Sequence, residues 1–239
     1  MKLKDKVVVV VGGSSGIGLG IAQEAHKEGA TVVLLARTKG KLSAAEHSFS
    51  ERAKSYALDI ADEASVKKVF ESVGPFDHLA ITAGQVYMSA VRDGDTKTLK
   101  AIFDSRFWGT YFAVRHALPR INRNGSITLM SGTLSRRPAP GTTMLAASVG
   151  AIEAFARALA VEIAPIRVNT LRPGLIDTPL LDAMFGNQPR EEGAKTMVQA
   201  NIIKRMGTIE EVGQTAILLM TNEFITGTIL DIDGGRLIN

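Results

Sequence analysis

The sequence predicts an α/β protein: a single domain with a doubly wound parallel sheet of about seven strands and helices on both faces. Three observations predict it. Residues 6–11, Lys6 and five valines, form a β-branched apolar run that opens directly onto Gly12-Gly13-Ser14-Ser15-Gly16-Ile17-Gly18, and Ile17, Ile21, Ala22 and Ala25 then fall at helical spacing. Further short apolar runs alternate with helix-period segments along the chain, the pattern of parallel strands joined by crossover helices. A length of 239 residues, 45% of them hydrophobic, suits one large domain spanning 1–239 better than two small ones.

The first strand–turn–helix unit carries the strongest chemical signal. Glycine permits positive φ and close backbone approach, and a helix N-terminus favours negative charge, so the turn suits a pyrophosphate. Gly12, Ser14, Ser15, Gly16, Ile17 and Gly18 are its candidate binding residues. Residues 30–36 read as the second strand and run into Arg37-Thr38. A dinucleotide-binding unit usually places an acid here, roughly 20 residues past the glycines, on the ribose 2′-hydroxyl. Arg37 has the opposite charge and suits a 2′-phosphate, which selects NADP(H), with Ser14, Ser15 and Thr38 as helpers.

Residues 55–58 form a third strand ending at Asp59-Ile60, and Ala61-Asp62-Glu63 opens a helix with acids in its first turn. Residues 76–81 are the fourth strand; His78, inside it, has no ligand partner at metal spacing and reads as structural. Residues 95–118 read as one long helix with two apolar faces, one including Ile102, Arg106 and Ala113, the other Trp108, Tyr111 and Phe112. Burial on both sides implies a subunit interface. Residues 126–130 are the fifth strand, and residues 142–164 a helix apolar nearly all round, with Glu153 and Arg157 spaced as an i,i+4 pair. Residues 166–171 form the sixth strand, 209–220 the last helix and 228–232 the last strand. The irregular segment 177–205 between them is expected to form a substrate lid.

The glycine spacing, Gly-x-x-x-Gly-x-Gly, together with Thr82-Ala83-Gly84, Pro173-Gly174 and Asp233-Gly234-Gly235, resembles the short-chain dehydrogenase/reductase family nearly end to end. The resemblance implies a Rossmann-like fold. It adds Asp59 and Ile60 as contacts to the adenine, Ala83 and Gly84 as cofactor contacts, and Pro173, Gly174, Ile176 and Thr178 around the nicotinamide and pyrophosphate. Val11 stands where the family has Thr, and Ile81 and Thr82 where it has two asparagines.

The same resemblance implies chemistry carried by an Asn, a Ser, a Tyr and a Lys. Ala147-Ser148 and Gly150-Ala151 fix the register, which puts Leu145 at the Tyr position, Val149 at the Lys, Gly132 at the Ser and Arg106 at the Asn. All four are replaced, and neither leucine nor valine can move a proton. Arg106 and Ser131 remain as catalytic candidates, with Tyr87 on a loop, and Arg106 is expected to converge with Arg136 and Arg137 on an anionic substrate.

Three functions follow: an NADP(H)-dependent oxidoreductase acting on a carbonyl or alcohol with non-standard acid/base groups, an inactive dinucleotide sensor or scaffold of the same fold, or a nucleic-acid binder. A net charge of +4 spread along the chain gives no basic face for nucleic acid. No stretch reads as a bilayer span and no metal site is expected. The absence of cysteine excludes thiol chemistry and agrees with a cytoplasmic, homodimeric or homotetrameric protein.

Overall fold

A computed structural model describes residues 1–49, 52–185 and 190–239. Among these residues the strands are β1 (Val7–Val11), β2 (Thr31–Ala36), β3 (Ala53–Ala57), β4 (Phe76–Ile81), β5 (Ile121–Met130), β6 (Arg167–Pro173) and β7 (Ile229–Ile232). They form one parallel sheet in the order β3-β2-β1-β4-β5-β6-β7. The order reverses between β1 and β4, and in open parallel sheets such a reversal opens a crevice at the carboxyl ends of the strands.

β1 alternates its side chains between two cores. Val9 and Val11 face one with α3 (Glu63–Ser72), α5 (Gly109–Ala117) and α6 (Thr143–Glu162). Val8 and Val10 face the other with α1 (Gly16–Lys27), α2 (Lys39–His47) and α9 (Ile209–Thr221). Burial on both faces explains why β1 reads as unbroken valine. The short α2 lacks a helical signal in the sequence because only Leu42 and Ala45 are buried on it.

The expected long helix is interrupted. It consists of α4 (Thr96–Phe103), a π-helical turn at Asp104–Trp108, and α5. The Ser105 hydroxyl donates to the Ala101 and Ile102 carbonyls at 2.9 and 3.2 Å and accepts from the Gln85 N–H at 3.2 Å. A serine bonding back onto helix carbonyls competes with the regular ladder and widens it. Arg106 lies within the widened turn.

α6 corrects the expectation that no stretch is long enough for a bilayer: its length and composition would suffice. Leu145, Val149, Ile152, Ala156 and Leu159 are nevertheless buried within the domain, which makes it a core helix. Its expected i,i+4 pair is absent, because Glu153 is buried and turned toward β6 while Arg157 is exposed. The segment 177–205 contains α7 (Leu180–Phe185) and α8 (Arg190–Val198), and residues 186–189 of it lie outside the described residues. His78 is buried, with Nδ1 2.9 Å from the Ser126 hydroxyl, and burial lowers its pKa to about 4.

Candidate active site

At the carboxyl ends of β1, β4, β5 and β6 lies a cleft of about 470 Å³. One end is the glycine turn. Gly12 sits at φ 92°, and a Cβ there would lie 2.5 Å from the Thr82 hydroxyl and 2.8 Å from the Ala83 nitrogen. Only glycine lets the turn close so tightly onto the end of β4. Ser15 caps α1 without using its side chain, so both it and the first-turn N–H groups remain open to an incoming ligand. Gly16 lies across from Thr178, whose Cβ is 3.4 Å from where a Gly16 Cβ would stand. These groups fit the phosphates of a dinucleotide.

The structure brings together most of the expected cofactor residues. Gly12, Ser14, Ser15, Gly16, Ile17, Gly18, Ala83, Gly84, Pro173, Gly174, Ile176 and Thr178 all line the cleft. Arg37, Thr38, Asp59 and Ile60 lie beyond its walls, at the carboxyl ends of β2 and β3 on the same edge of the sheet. Arg37 is exposed, and no ion pair engages it among the described residues. Asp59 accepts from the Ala61 N–H at 3.1 Å, and Ile60 is buried against Gly109.

The other end of the cleft is mostly apolar. Leu145 and Val149 from α6 face it, together with Gly132, Met130, Leu134, Leu180, Leu181 and Met197. Arg106 reaches this wall by lying across Gly84: a Cβ on Gly84 would stand 2.7 Å from Arg106 Cγ and 3.1 Å from Cζ. Its Nε donates to the Gln85 carbonyl at 2.8 Å, and no carboxylate pairs with it among the described residues. Loss of solvent lowers its pKa to about 10, so it stays a cation at neutral pH.

Ser131 borders the cleft, yet its hydroxyl is committed elsewhere. It donates to Glu153 Oε1 at 2.6 Å and approaches the Val149 carbonyl at 3.3 Å. Glu153 also accepts from Ser135 at 2.6 Å and from Arg172, which in turn pairs with Asp231. Burial would raise the pKa of the Glu153 carboxyl, but the bonds from Arg172, Ser131 and Ser135 outweigh it and lower it to about 2.

The expected cluster of three guanidinium groups does not form. Arg136 is exposed and does not line the cleft, and Arg137 donates to the carbonyls of Arg236 and Asn239 at 2.5 and 2.7 Å. Both follow a 3₁₀ turn (Thr133–Ser135), after which Arg137 reaches the C-terminal segment and Arg136 stays in solvent. Tyr87 is exposed and likewise outside the cleft. Arg236, which the sequence reading passes over, does line it. Its one signal is position, directly after the Gly234-Gly235 turn that follows β7.

Comparison with known proteins agrees with this arrangement. Residues 11–236 match a family model described as enoyl-(acyl carrier protein) reductase. The chain is 30% identical to the short-chain dehydrogenase/reductase ATR9 of Stachybotrys chlorohalonatus, covering 99% of this chain and 98% of that protein. It is 31% identical to an NADP-dependent (R)-specific alcohol dehydrogenase of Lentilactobacillus kefiri, over 98% of this chain and 97% of the other. Among solved structures, a small-chain dehydrogenase in complex with NADPH superposes with a TM-score of 0.83 at 34% identity, covering 98% and 99% of the two chains. With the doubly wound sheet, the glycine turn and the cleft at its switch point, these similarities make the chain a member of the short-chain dehydrogenase/reductase family of oxidoreductases, which bind a nicotinamide dinucleotide.

Proposed function

We propose that the protein is an NADP(H)-dependent oxidoreductase acting at a carbonyl or alcohol carbon, with Arg106 in place of the family's usual acid/base machinery. One observation carries the reading: a guanidinium lies in the cleft, held by one bond to the Gln85 carbonyl, with only Leu145 and Val149 where a Tyr and a Lys are the family's pattern. Gly12, Ser14, Ser15, Gly16, Gly18 and Thr178 would hold the pyrophosphate, Arg37 and Thr38 the 2′-phosphate, and Asp59 the adenine. The nicotinamide, when bound, supplies or accepts the hydride.

The chain's own residues supply the rest. Arg106 stabilises negative charge developing on the substrate oxygen, as an oxyanion-type donor does. With its pKa at about 10 it acts as a fixed charge rather than as an acid at neutral pH. Leu145 and Val149 give that wall an apolar surface, which strengthens the interaction. Neither can donate a proton, so water supplies it. The NADP-dependent relative and the NADPH-bound neighbour support the choice of NADP(H).

A second reading, a dinucleotide-binding sensor or scaffold without turnover, is favoured by the Ser131 hydroxyl being committed to Glu153. Consumption of NADPH with a panel of ketones and aldehydes separates the two. The oxidoreductase reading expects turnover that falls by about 100-fold or more in Arg106→Asn, the usual cost of losing one oxyanion donor, with NADPH affinity retained. NADPH binding with no turnover on any carbonyl compound leaves the sensor.

The half-exposed Trp108, packed on Tyr111 and Phe112, supports assembly as a homodimer or homotetramer through this helix, which light scattering at micromolar concentration tests. A monomer there defeats the assembly. A cysteine-free chain with α6 packed in its core agrees with a cytoplasmic protein.

A further inference from the structure

Arg236 reaches the cleft from the far end of the chain. Gly234 and Gly235, at φ 64° and 79°, turn the backbone after β7, and the Gly234 carbonyl accepts the N–H groups of Ile202 and Ile203 at 2.9 Å each. This seats the C-terminal segment against the residues that follow α8. The Arg236 guanidinium donates through Nη1 to the Met197 carbonyl at 2.8 Å and to Asn201 Oδ1 at 3.3 Å. Both acceptors are neutral, and no carboxylate pairs with Arg236 among the described residues. Burial and the nearby Arg137 lower its pKa, while Asp233 opposes them in part.

A half-buried cation without an anion is costly unless a ligand supplies one. Arg236 shares its cleft with the apolar side chains of Leu134, Leu145, Val149, Leu181 and Met197, and with Arg106. Arg106 stands among the residues at the reacting end, which leaves Arg236 as the second, separate positive group. One Nη of Arg236 is already engaged, so the remaining charge and donors suit a monoanion better than a dianion.

We propose that Arg236 determines specificity by receiving the carboxylate of a substrate with an apolar body. The accompanying role, in which Arg106 takes the reacting oxygen of the same substrate, rests on the oxidoreductase reading above; the carboxylate site itself does not. The substrate class is therefore an oxo- or hydroxycarboxylic acid with an apolar skeleton.

The test is a binding measurement on the full chain, read by calorimetry at saturating NADP⁺, with octanoate and octanamide as matched probes. They differ in charge and share the apolar tail. A charge-assisted bond predicts that octanoate binds about tenfold or more tightly over octanamide. Arg236→Gln should abolish that preference while leaving octanamide affinity unchanged, and Arg236→Lys should keep part of it. Should Arg236→Gln fold poorly, the preference in the unaltered protein and its decline with added salt still test the site.

Equal binding of the two probes, no binding of octanoate, or a preference that survives Arg236→Gln overturns the assignment. The two readings fail separately. Turnover of neutral ketones without any advantage for carboxylates removes the Arg236 site and leaves the oxidoreductase. Carboxylate-selective binding without turnover of any oxo acid does the reverse.

Discussion

Arg172 and Glu153 meet as a buried bidentate pair, Nε to Oε1 and Nη2 to Oε2, both at 2.8 Å. Arg172 is the penultimate residue of β6, Glu153 lies mid-way along α6, and Asp231 on β7 completes the group at 2.6 Å from Arg172 Nη1. The cluster thus fastens two strands, one helix and, through Ser131 and Ser135, the loop after β5. Removing one partner of such a pair leaves the other charge buried and uncompensated, which costs about 3–5 kcal/mol. Glu153→Gln should lose about that much in chemical unfolding.

The same carboxylate gives a pH signature. Its folded pKa is lowered to about 2 from the ordinary 4.5, so its contribution to stability is complete above 4.5 and is lost as the pH falls through the folded value. Unfolding free energy measured against pH should therefore decline across that window in the unaltered protein. Glu153→Gln should show a shallower decline there. Parallel slopes for the two proteins would mean that the carboxylate is not held by the cluster.

Arg37 is the residue we propose to govern the choice of cofactor. It is exposed at the end of β2, with no acidic partner among the described residues. A charge-assisted bond to a 2′-phosphate is worth about 1.5–3 kcal/mol, so NADPH should bind about tenfold or more tightly than NADH. Arg37→Asp should reverse the order in calorimetric titrations. Equal affinities in the unaltered protein rule this assignment out.

Gly84 and Arg106 should behave as one unit. Adding a methyl group at Gly84 places it 2.7 Å from Arg106 Cγ, and the side chain must leave its present path. Overpacking of this kind costs about 1–3 kcal/mol. Gly84→Ala should reduce turnover as Arg106→Asn does. In an Arg106→Ala background, where the colliding atoms are gone, it should add less than about 0.5 kcal/mol. Additive losses in the double variant would show that Gly84 serves something other than Arg106.

What the sequence disclosed and what it withheld divide along physical lines. β1, β2 and β4 are legible because each is a short apolar run buried on both faces, and β1 leads straight into the glycine turn; β3 (Ala53–Ala57) has no fully buried residue, and the sequence places it at 55–58. The partner of Glu153 was not legible. Helical spacing favoured Arg157, but Arg172 offers a buried fork from a neighbouring strand, a contact that exists only once β6 lies beside α6. Arg136 and Arg137 were near Arg106 only by assumption, and a three-residue 3₁₀ turn sends them elsewhere. Arg236 was invisible for the converse reason: its place depends on a fold-back 39 residues from Met197.

The π-helical turn at Asp104–Trp108 acts as a gear between the cleft and the outer surface. Each residue of an α-helix advances the side chains by about 100°, so the widened turn sets the rotational phase of everything after it. Within the turn stands Arg106, which lines the cleft; after it come Gly109, seated on Ile60, and the aromatic face of Tyr111 and Phe112. A one-residue deletion between Arg106 and Gly109 would rotate the later residues relative to Arg106, so the cleft-lining guanidinium and the outer aromatic face share one adjustable joint.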